Sequence, residues 1–188
     1  GIFEYKIYKQ LENDSTIFID KVKSNAFIDR SLGYDEEHCY TILAIDAEGD
    51  ASGFSQVLCG KTNTPPDLQI QNFKLIDNTG DNSLASRESG KLRFALLNNG
   101  NSPSKNIIVS IKSLLGTNSA NDLIMDTIKV IENINIDEAK YFEFNILAGL
   151  KIESGDWKYV ITAKDENGFK TKEPHEFSIN TQAVDKPN

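Results

Sequence analysis

The sequence predicts an all-β protein made of two antiparallel β-sandwich domains, the first of them incomplete. Apolar and polar residues alternate in many short segments, with the period of two that a β-strand requires. Clusters of Gly, Asn and Asp interrupt these segments roughly every 8 to 15 residues, which is typical of sandwiches. No segment shows a convincing helical period. Together these observations favour antiparallel sheets over any helical or mixed fold.

Length and charge restrict the possible functions. The chain has 188 residues, 39% of them hydrophobic, which is enough for one large domain or two small ones. It contains no apolar run of about 18 residues, so we expect no direct membrane insertion. The net charge of −8 argues against nucleic acids as partners, because phosphate binding needs concentrated Lys and Arg.

A strand–turn–strand hairpin is predicted between Cys39 and Cys59. Residues 40–44 alternate as a strand, and residues 46–50 have turn composition, with Gly49 free to adopt positive φ. If the turn centres near Gly49, the two cysteines fall opposite each other and a disulfide is geometrically possible. A disulfide would indicate an oxidising compartment. The alternative is a pair of buried free thiols.

This hairpin resembles the last two strands of a fibronectin type III domain, and the resemblance covers about residues 3–62. The residues that carry it are Tyr40, Ile42, Ala44, Asp46, Gly49, Ser52 and Ser55. A bacterial version of the family has two cysteines at the positions of Cys39 and Cys59, so the resemblance implies that they are bridged. His38 stands where the family usually has a Tyr that fixes a corner, so here an imidazole makes the corner or the corner is lost.

The first domain is expected to lack its first two strands. Residues 2–9 alternate as a strand, which the resemblance places third in the family's order, and Thr16–Val22 and Ala26–Ile28 are further predicted strands. A complete sandwich of this type needs two strands before residues 2–9. We therefore expect an uncovered face and edge, and we expect any dimer formed there to be an artefact of truncation.

The domain boundary is predicted at Pro65 and Pro66, because prolines cannot donate to a sheet ladder and hold the chain extended. The predicted organisation is a partial fibronectin type III-like domain at 1–62, a Pro-rich linker at 63–66, an immunoglobulin-like β-sandwich at 67–184 and the start of a further linker at 185–188.

The second domain resembles an immunoglobulin-like module of bacterial surface and secreted proteins over about residues 66–184. The residues that carry the resemblance are Asp77, Gly80, Asp81, Leu84, Glu88, Gly90, Leu92, Phe94, Leu96, Asn98, Gly100 and the run 165–169. Similar modules lie beside caspase-like peptidase domains and in adhesin-like chains. The resemblance implies an accessory role and names no ligand. Within the first predicted strand of this domain, the alternation of apolar and polar residues shifts by one position near Gln71 and Asn72, which predicts a β-bulge.

One loop has the spacing of calcium ligands. With Asp77 at the first position of a twelve-residue loop, Thr79, Asp81, Ser83 and Glu88 fall at positions three, five, seven and twelve. The departures from the motif are serious, since Asn82 replaces the glycine at position six and no helices flank the loop. The favoured interpretation is a solvated turn, with calcium as the alternative and no other cofactor expected.

Catalytic chemistry has little support in the sequence, so we expect no intrinsic enzymatic activity. His38 and Cys39 are neighbours on a strand and therefore point to opposite faces, which excludes a Cys–His pair. His175 follows a proline and is expected to be exposed. Glycan binding is a more serious possibility, with Tyr8 and Tyr34 as the candidate stacking residues. Core or edge packing is the more common role of such aromatics.

The sequence therefore predicts a non-catalytic structural, adhesion or protein-interaction module of a larger exported bacterial protein. We expect it to be extracellular, on the cell surface or periplasmic, with a protein or a glycan as partner. The alternatives are an accessory region of a secreted cysteine peptidase and a glycan-binding module.

Overall fold

The computed structural model describes residues 1–114 and 122–183. The chain divides into two compact units, Gly1–Thr64 and Pro65–Asn188. All regular structure in the described residues is β-strand, which confirms the predicted fold class, and no helix there could cross a membrane. The sequence also predicts a small polar loop at 114–121, and most of that loop and the linker expected at 185–188 lie outside the described residues.

The first unit contains a single antiparallel sheet in the order β2-β1-β3-β4. The strands are β1 (Ile2–Gln10), β2 (Thr16–Val22), β3 (Glu37–Asp46) and β4 (Leu58–Lys61). The alternating pattern of β1 places Ile7, which is 5% exposed, opposite Ile42 on one face of the sheet. The same face is open elsewhere, since Leu58 on β4 is 75% exposed.

The predicted strand at Ala26–Ile28 is wrong, because this segment pairs with no strand in the described part of the chain. It instead contacts the face of the sheet. Phe27 lines a groove together with Ile7 and Ile42, and the Tyr40 hydroxyl donates a 2.8 Å hydrogen bond to Asp29. An extended segment lying against a face has no ladder partner, whatever its strand propensity.

The second unit is a β-sandwich of two sheets, ordered β10-β8-β12-β13-β6 and β5-β7-β11-β9. Its strands are β5 (Leu68–Asp77), β6 (Ser83–Ala85), β7 (Ser89–Asn98), β8 (Ser104–Ser113), β9 (Leu123–Met125), β10 (Ile128–Ile134), β11 (Ala139–Ala148), β12 (Gly155–Lys164) and β13 (His175–Gln182). All neighbours are antiparallel except β6 and β13. The slip in β5 is a register shift between Gln71 and Lys74, which confirms the predicted bulge, and Asn72 there has φ 55°.

The core of the second unit lies between its two sheets. Phe94 is fully buried and stacks on Phe142 and Phe144, with ring centroids 5.4 and 5.7 Å apart. The sequence favours a core position for Trp157, the sole Trp, and the residue is half-buried against this core. Its indole N–H donates to the Thr181 hydroxyl at 2.7 Å. Burial of the aromatic body with a satisfied polar tip is the usual arrangement for Trp.

Candidate functional sites

The predicted hairpin of the first unit is closed by a disulfide between Cys39 and Cys59. The two residues are direct partners in the β3–β4 register, as predicted from a turn centred near Gly49. The turn itself has Gly49 at φ 94°, and the Asp46 carboxylate accepts hydrogen bonds from the amides of Glu48 and Asp50. Since β4 is a four-residue edge strand and Cys59 is exposed, the bridge fastens an edge to the sheet.

Two serines replace part of the sheet ladder before β4 begins. The Ile42 amide donates to the Ser55 hydroxyl at 3.1 Å, and the Ser55 amide donates to the Ile42 carbonyl at 2.8 Å. Ser52 makes the same pair of bonds with Ala44, at 2.9 and 2.8 Å. The serine hydroxyls therefore accept bonds that a neighbouring strand's carbonyls would otherwise accept. These are the two serines of the motif on which the fibronectin type III resemblance depends.

His38 fixes the corner before β3 through a carboxylate. Its Nε2 lies 3.0 Å from the Glu36 carboxylate, whose same oxygen accepts the Gly33 amide at 3.1 Å. The Glu36 amide donates to the Thr62 hydroxyl at 2.9 Å. Of the two alternatives, an imidazole-made corner and a lost corner, the structure shows the first. The imidazole acts through the Glu36 carboxylate rather than directly on the backbone.

Tyr8 lies in an aromatic cluster that we call the Tyr8 cluster, formed by Tyr8, Phe18 and Phe54. Its ring meets Phe18 and Phe54 edge to face, with centroids 5.6 and 5.1 Å apart. Phe18 and Phe54 are 53% and 55% exposed, so much of their surface contacts solvent. The sequence did not identify Phe54, because its position depends on the hydrogen bonds that Ser52 and Ser55 make to β3. Tyr34 lies in the bend before β3 and is 40% exposed.

The calcium-like loop connects β5 to β7 and contains the short strand β6. Glu88 accepts hydrogen bonds from the Thr79 amide and hydroxyl at 3.2 and 3.1 Å, and from the Ala85 amide at 2.9 Å. Asp77 accepts from the Gly80 amide, and one Asp77 carboxylate oxygen is buried with no hydrogen-bond partner.

Asp81 accepts the Ser83 amide at 2.9 Å, which lowers the pKa of its carboxyl below the usual value. Ser83 is buried in β6, and the neighbouring Leu84, at the apolar position of the predicted loop, is fully buried in the core. In the described part of the chain, no three His, Cys, Asp or Glu side chains lie together as metal ligands would. Asp81 caps its own turn, whereas Glu88 joins the turn at Thr79 to Ala85.

The two histidines occupy different environments. The His38 side chain is 11% exposed and contacts Glu36. His175 was expected to be exposed, but it is half-buried and its ring lies 4.7 Å from that of Phe73. Phe73 lies inside the bulge of β5, between Gln71 and Lys74, and its ring covers part of His175.

A charged network on β7 and β11 had no sequence signal. Glu143 pairs with Arg93 and, at 3.1 Å, with Lys91, and these cations lower the pKa of its carboxyl. Tyr141 projects beside the network and is 75% exposed. Pairs of this kind depend on which strands become neighbours, and an exposed pair contributes little stability.

Comparison with known proteins gives only distant likenesses. No family model matches the chain, and no curated protein sequence matches it. A chitinase from Bacillus thuringiensis has a similar structure over 79% of this chain and 22% of its own, at 18% identity and a TM-score of 0.27. A protein from Corynebacterium diphtheriae, described as membrane anchored, matches 99% of this chain and 54% of its own, at 10% identity and a TM-score of 0.36. These likenesses assign neither a ligand nor an activity.

Proposed function

We propose that this chain is a non-catalytic structural, adhesion or protein-interaction module of a larger exported bacterial protein. The observation that carries the proposal is the disulfide between Cys39 and Cys59 on an edge strand of the first unit. Disulfides form and persist in oxidising compartments and are rare in the cytosol. This chemistry supports an extracellular, surface or periplasmic location.

The topology supports the two domain assignments. In the first unit the order β2-β1-β3-β4 corresponds to the sheet of an immunoglobulin-type sandwich that contains its last two strands. The serines at 52 and 55 lie where the fibronectin type III motif has them. The second unit has two packed sheets with an apolar core, which supports an immunoglobulin-like module. Domains of both kinds serve as spacers and binding modules.

The location is tested by counting thiols in protein taken from the cells that produce it. The unfolded, unreduced protein is expected to have no reactive thiol, and the extracellular or periplasmic fraction is expected to contain it. Two reactive thiols in protein from the cytosolic fraction would contradict both the bridge and the export argument. Trapping thiols with an alkylating agent before lysis controls for oxidation during preparation.

A second candidate function is glycan binding at the Tyr8 cluster. The exposed rings of Phe18 and Phe54 flank Tyr8, and aromatic surfaces of this size bind sugars by stacking. A glycan array with the intact chain tests it. Binding should be lost in Phe18→Ala/Phe54→Ala and kept in Tyr141→Ala, which removes a still more exposed ring from the second unit. Equal binding by all three proteins would refute this function.

The parent protein decides between the remaining contexts. A catalytic Cys/His domain elsewhere in the parent would make this chain an accessory region of a secreted cysteine peptidase. Further sandwich domains with an anchor would make it part of a stalk or adhesin.

A further inference from the structure

Three lysines that form no salt bridge with any described residue lie along one groove of the second unit. They are Lys112 on β8, Lys164 at the end of β12 and Lys170 just after the following turn, and all three are exposed. Every salt bridge in the described ranges involves another cation and none of these three. A cluster of unpaired cations is unexpected in a chain of net charge −8.

Two of these lysines are held directly opposite each other. Lys164 and Lys170 are partners in an isolated antiparallel bridge. Like charges at directly opposed positions repel each other and destabilise the pair. An anion bound between the two ammonium groups would remove this repulsion, so the arrangement favours a negatively charged ligand.

The lysines line a shallow groove of about 370 Å³ on the outer face of the five-stranded sheet. Its floor includes the hydroxyls of Ser110 and Thr162, which lie 3.0 Å apart and belong to residues that are register partners. Thr171 also lines the groove, but it is buried and its hydroxyl accepts a hydrogen bond from the Ala163 amide at 3.4 Å. Hydroxyls both donate and accept hydrogen bonds, so this floor suits a ligand that also has hydroxyls.

The spacing of the lysines requires an elongated ligand. Lys164 pairs with Ile108 and Lys112 lies four residues further along β8, which corresponds to about 13 Å of strand. A single small anion cannot contact both ends. Across the sheet from Lys112, Val160 of β12 is its partner, and Glu176 of β13 is the next residue in that row. This glutamate limits the basic surface on the β13 side. The groove therefore fits a linear polyanion of low charge density.

We propose that this groove binds a linear anionic polysaccharide, with its carboxylate or sulfate groups at the lysines and its hydroxyls over Ser110 and Thr162. A densely charged polymer such as nucleic acid is disfavoured, since the acidic chain would repel it. The choice of a polysaccharide rests on the exported location proposed above, while the choice of a polyanion rests on the groove alone.

The test is calorimetric titration of the intact chain with oligogalacturonate, a uronate polymer. We expect binding that weakens as salt is raised and that falls at least about tenfold in Lys112→Gln/Lys164→Gln/Lys170→Gln. The control is Lys6→Gln/Lys74→Gln/Lys151→Gln, which loses the same charge elsewhere and should bind like the native chain. Melting curves of both variants show whether each is folded.

Several results would overturn the proposal. One is the absence of binding by the native chain, and another is equal binding by the groove variant. Equal affinity for polyglutamate, a polyanion without sugar hydroxyls, would overturn the polysaccharide assignment. The exported location fails on a different measurement, namely thiols found in cytosolic protein, so the two failures are distinguishable.

Discussion

Ile42 and Ser55 exchange hydrogen bonds, with the Ile42 amide donating to the serine hydroxyl at 3.1 Å and the Ser55 amide donating to the Ile42 carbonyl at 2.8 Å. A side chain thereby closes a ladder position for which no backbone carbonyl is available. The motif that carries the family resemblance thus has a mechanical role, since it holds the return segment to β3 before β4 begins.

Ser55→Ala removes the acceptor of the Ile42 amide. We expect the first unit to lose about 1 kcal/mol of unfolding free energy, the usual cost of one such hydrogen bond. Hydrogen exchange should show faster opening of the Ile42 amide. Ser24→Ala is the matched control, because its hydroxyl donates only to the exposed Ala26 carbonyl, and it should change little. Equal effects of the two changes would contradict the assigned role.

Reduction of the disulfide should destabilise the first unit and leave the second unit unchanged. The bridge closes a loop with a sequence separation of 20, for which chain entropy gives about 3 kcal/mol. Trp157, the sole Trp of the chain, lies in the second unit, so its fluorescence reports that unit's unfolding. Amide exchange along β3 reports the first unit. Reductant should have no effect on Cys39→Ala/Cys59→Ala, and a shifted Trp157 transition would contradict the assignment.

Asp29 and Tyr40 should make the first unit sensitive to extreme pH. Hydrogen bonds from Ser31, then the bond from Tyr40, lower the pKa of Asp29 from 3.8 to about 2. Since this pKa is depressed on folding, its contribution is present above pH 3.8 and is lost as the pH falls towards 2. Desolvation, then the bond to Asp29, raises the pKa of Tyr40 from 10.0 to about 12, so its contribution is lost as the pH rises through that range.

Carboxyl chemical shifts measured across this acid range check the pair. Tyr40→Phe should raise the pKa of Asp29, and Ser31→Ala should raise it more than Tyr40→Phe does, because it removes the hydroxyl bond that has the largest effect while the Ser31 amide bond remains. A lower pKa in either variant would contradict the assigned hydrogen bonds.

The Asp77–Glu88 loop is expected to be stable without metal. Glu88 is already engaged by Thr79 and Ala85, so a calcium ion would have to replace these bonds. We expect the same melting temperature in excess calcium and in chelator, and a lower one in Glu88→Ala under both conditions. A calcium-dependent rise in the native chain that is absent in Asp77→Asn/Asp81→Asn would instead establish a calcium site.

The strands and the hairpin register could be predicted because they depend on local alternation and turn composition. The opposition of Cys39 and Cys59 follows from the position of one glycine turn. The segment Ala26–Ile28 was assigned wrongly because strand formation needs a neighbour, which local sequence does not reveal. The apolar segment at 122–131 has no clear period in the sequence, and it forms β9 and the start of β10 because β11 and β8 lie beside it.

The candidate sites were less predictable because they depend on contacts between distant segments. Phe54 contacts Tyr8 from the segment that follows β3, and Lys112 and Lys164 line the same groove only because β8 and β12 are neighbours. The calcium-like spacing of the 77–88 loop reflects the short strand β6 within it. Its apolar position, Leu84, belongs to a three-residue strand that pairs in parallel with β13 and is buried in the core.

The central claim is that this chain is an accessory module of a larger exported protein. The most direct test is to isolate the native parent protein from fractionated cells and to sequence it by mass spectrometry without reduction. We predict a longer polypeptide in the extracellular, surface or periplasmic fraction, with the peptides of Cys39 and Cys59 joined. A cytosolic protein with both thiols free would contradict the account.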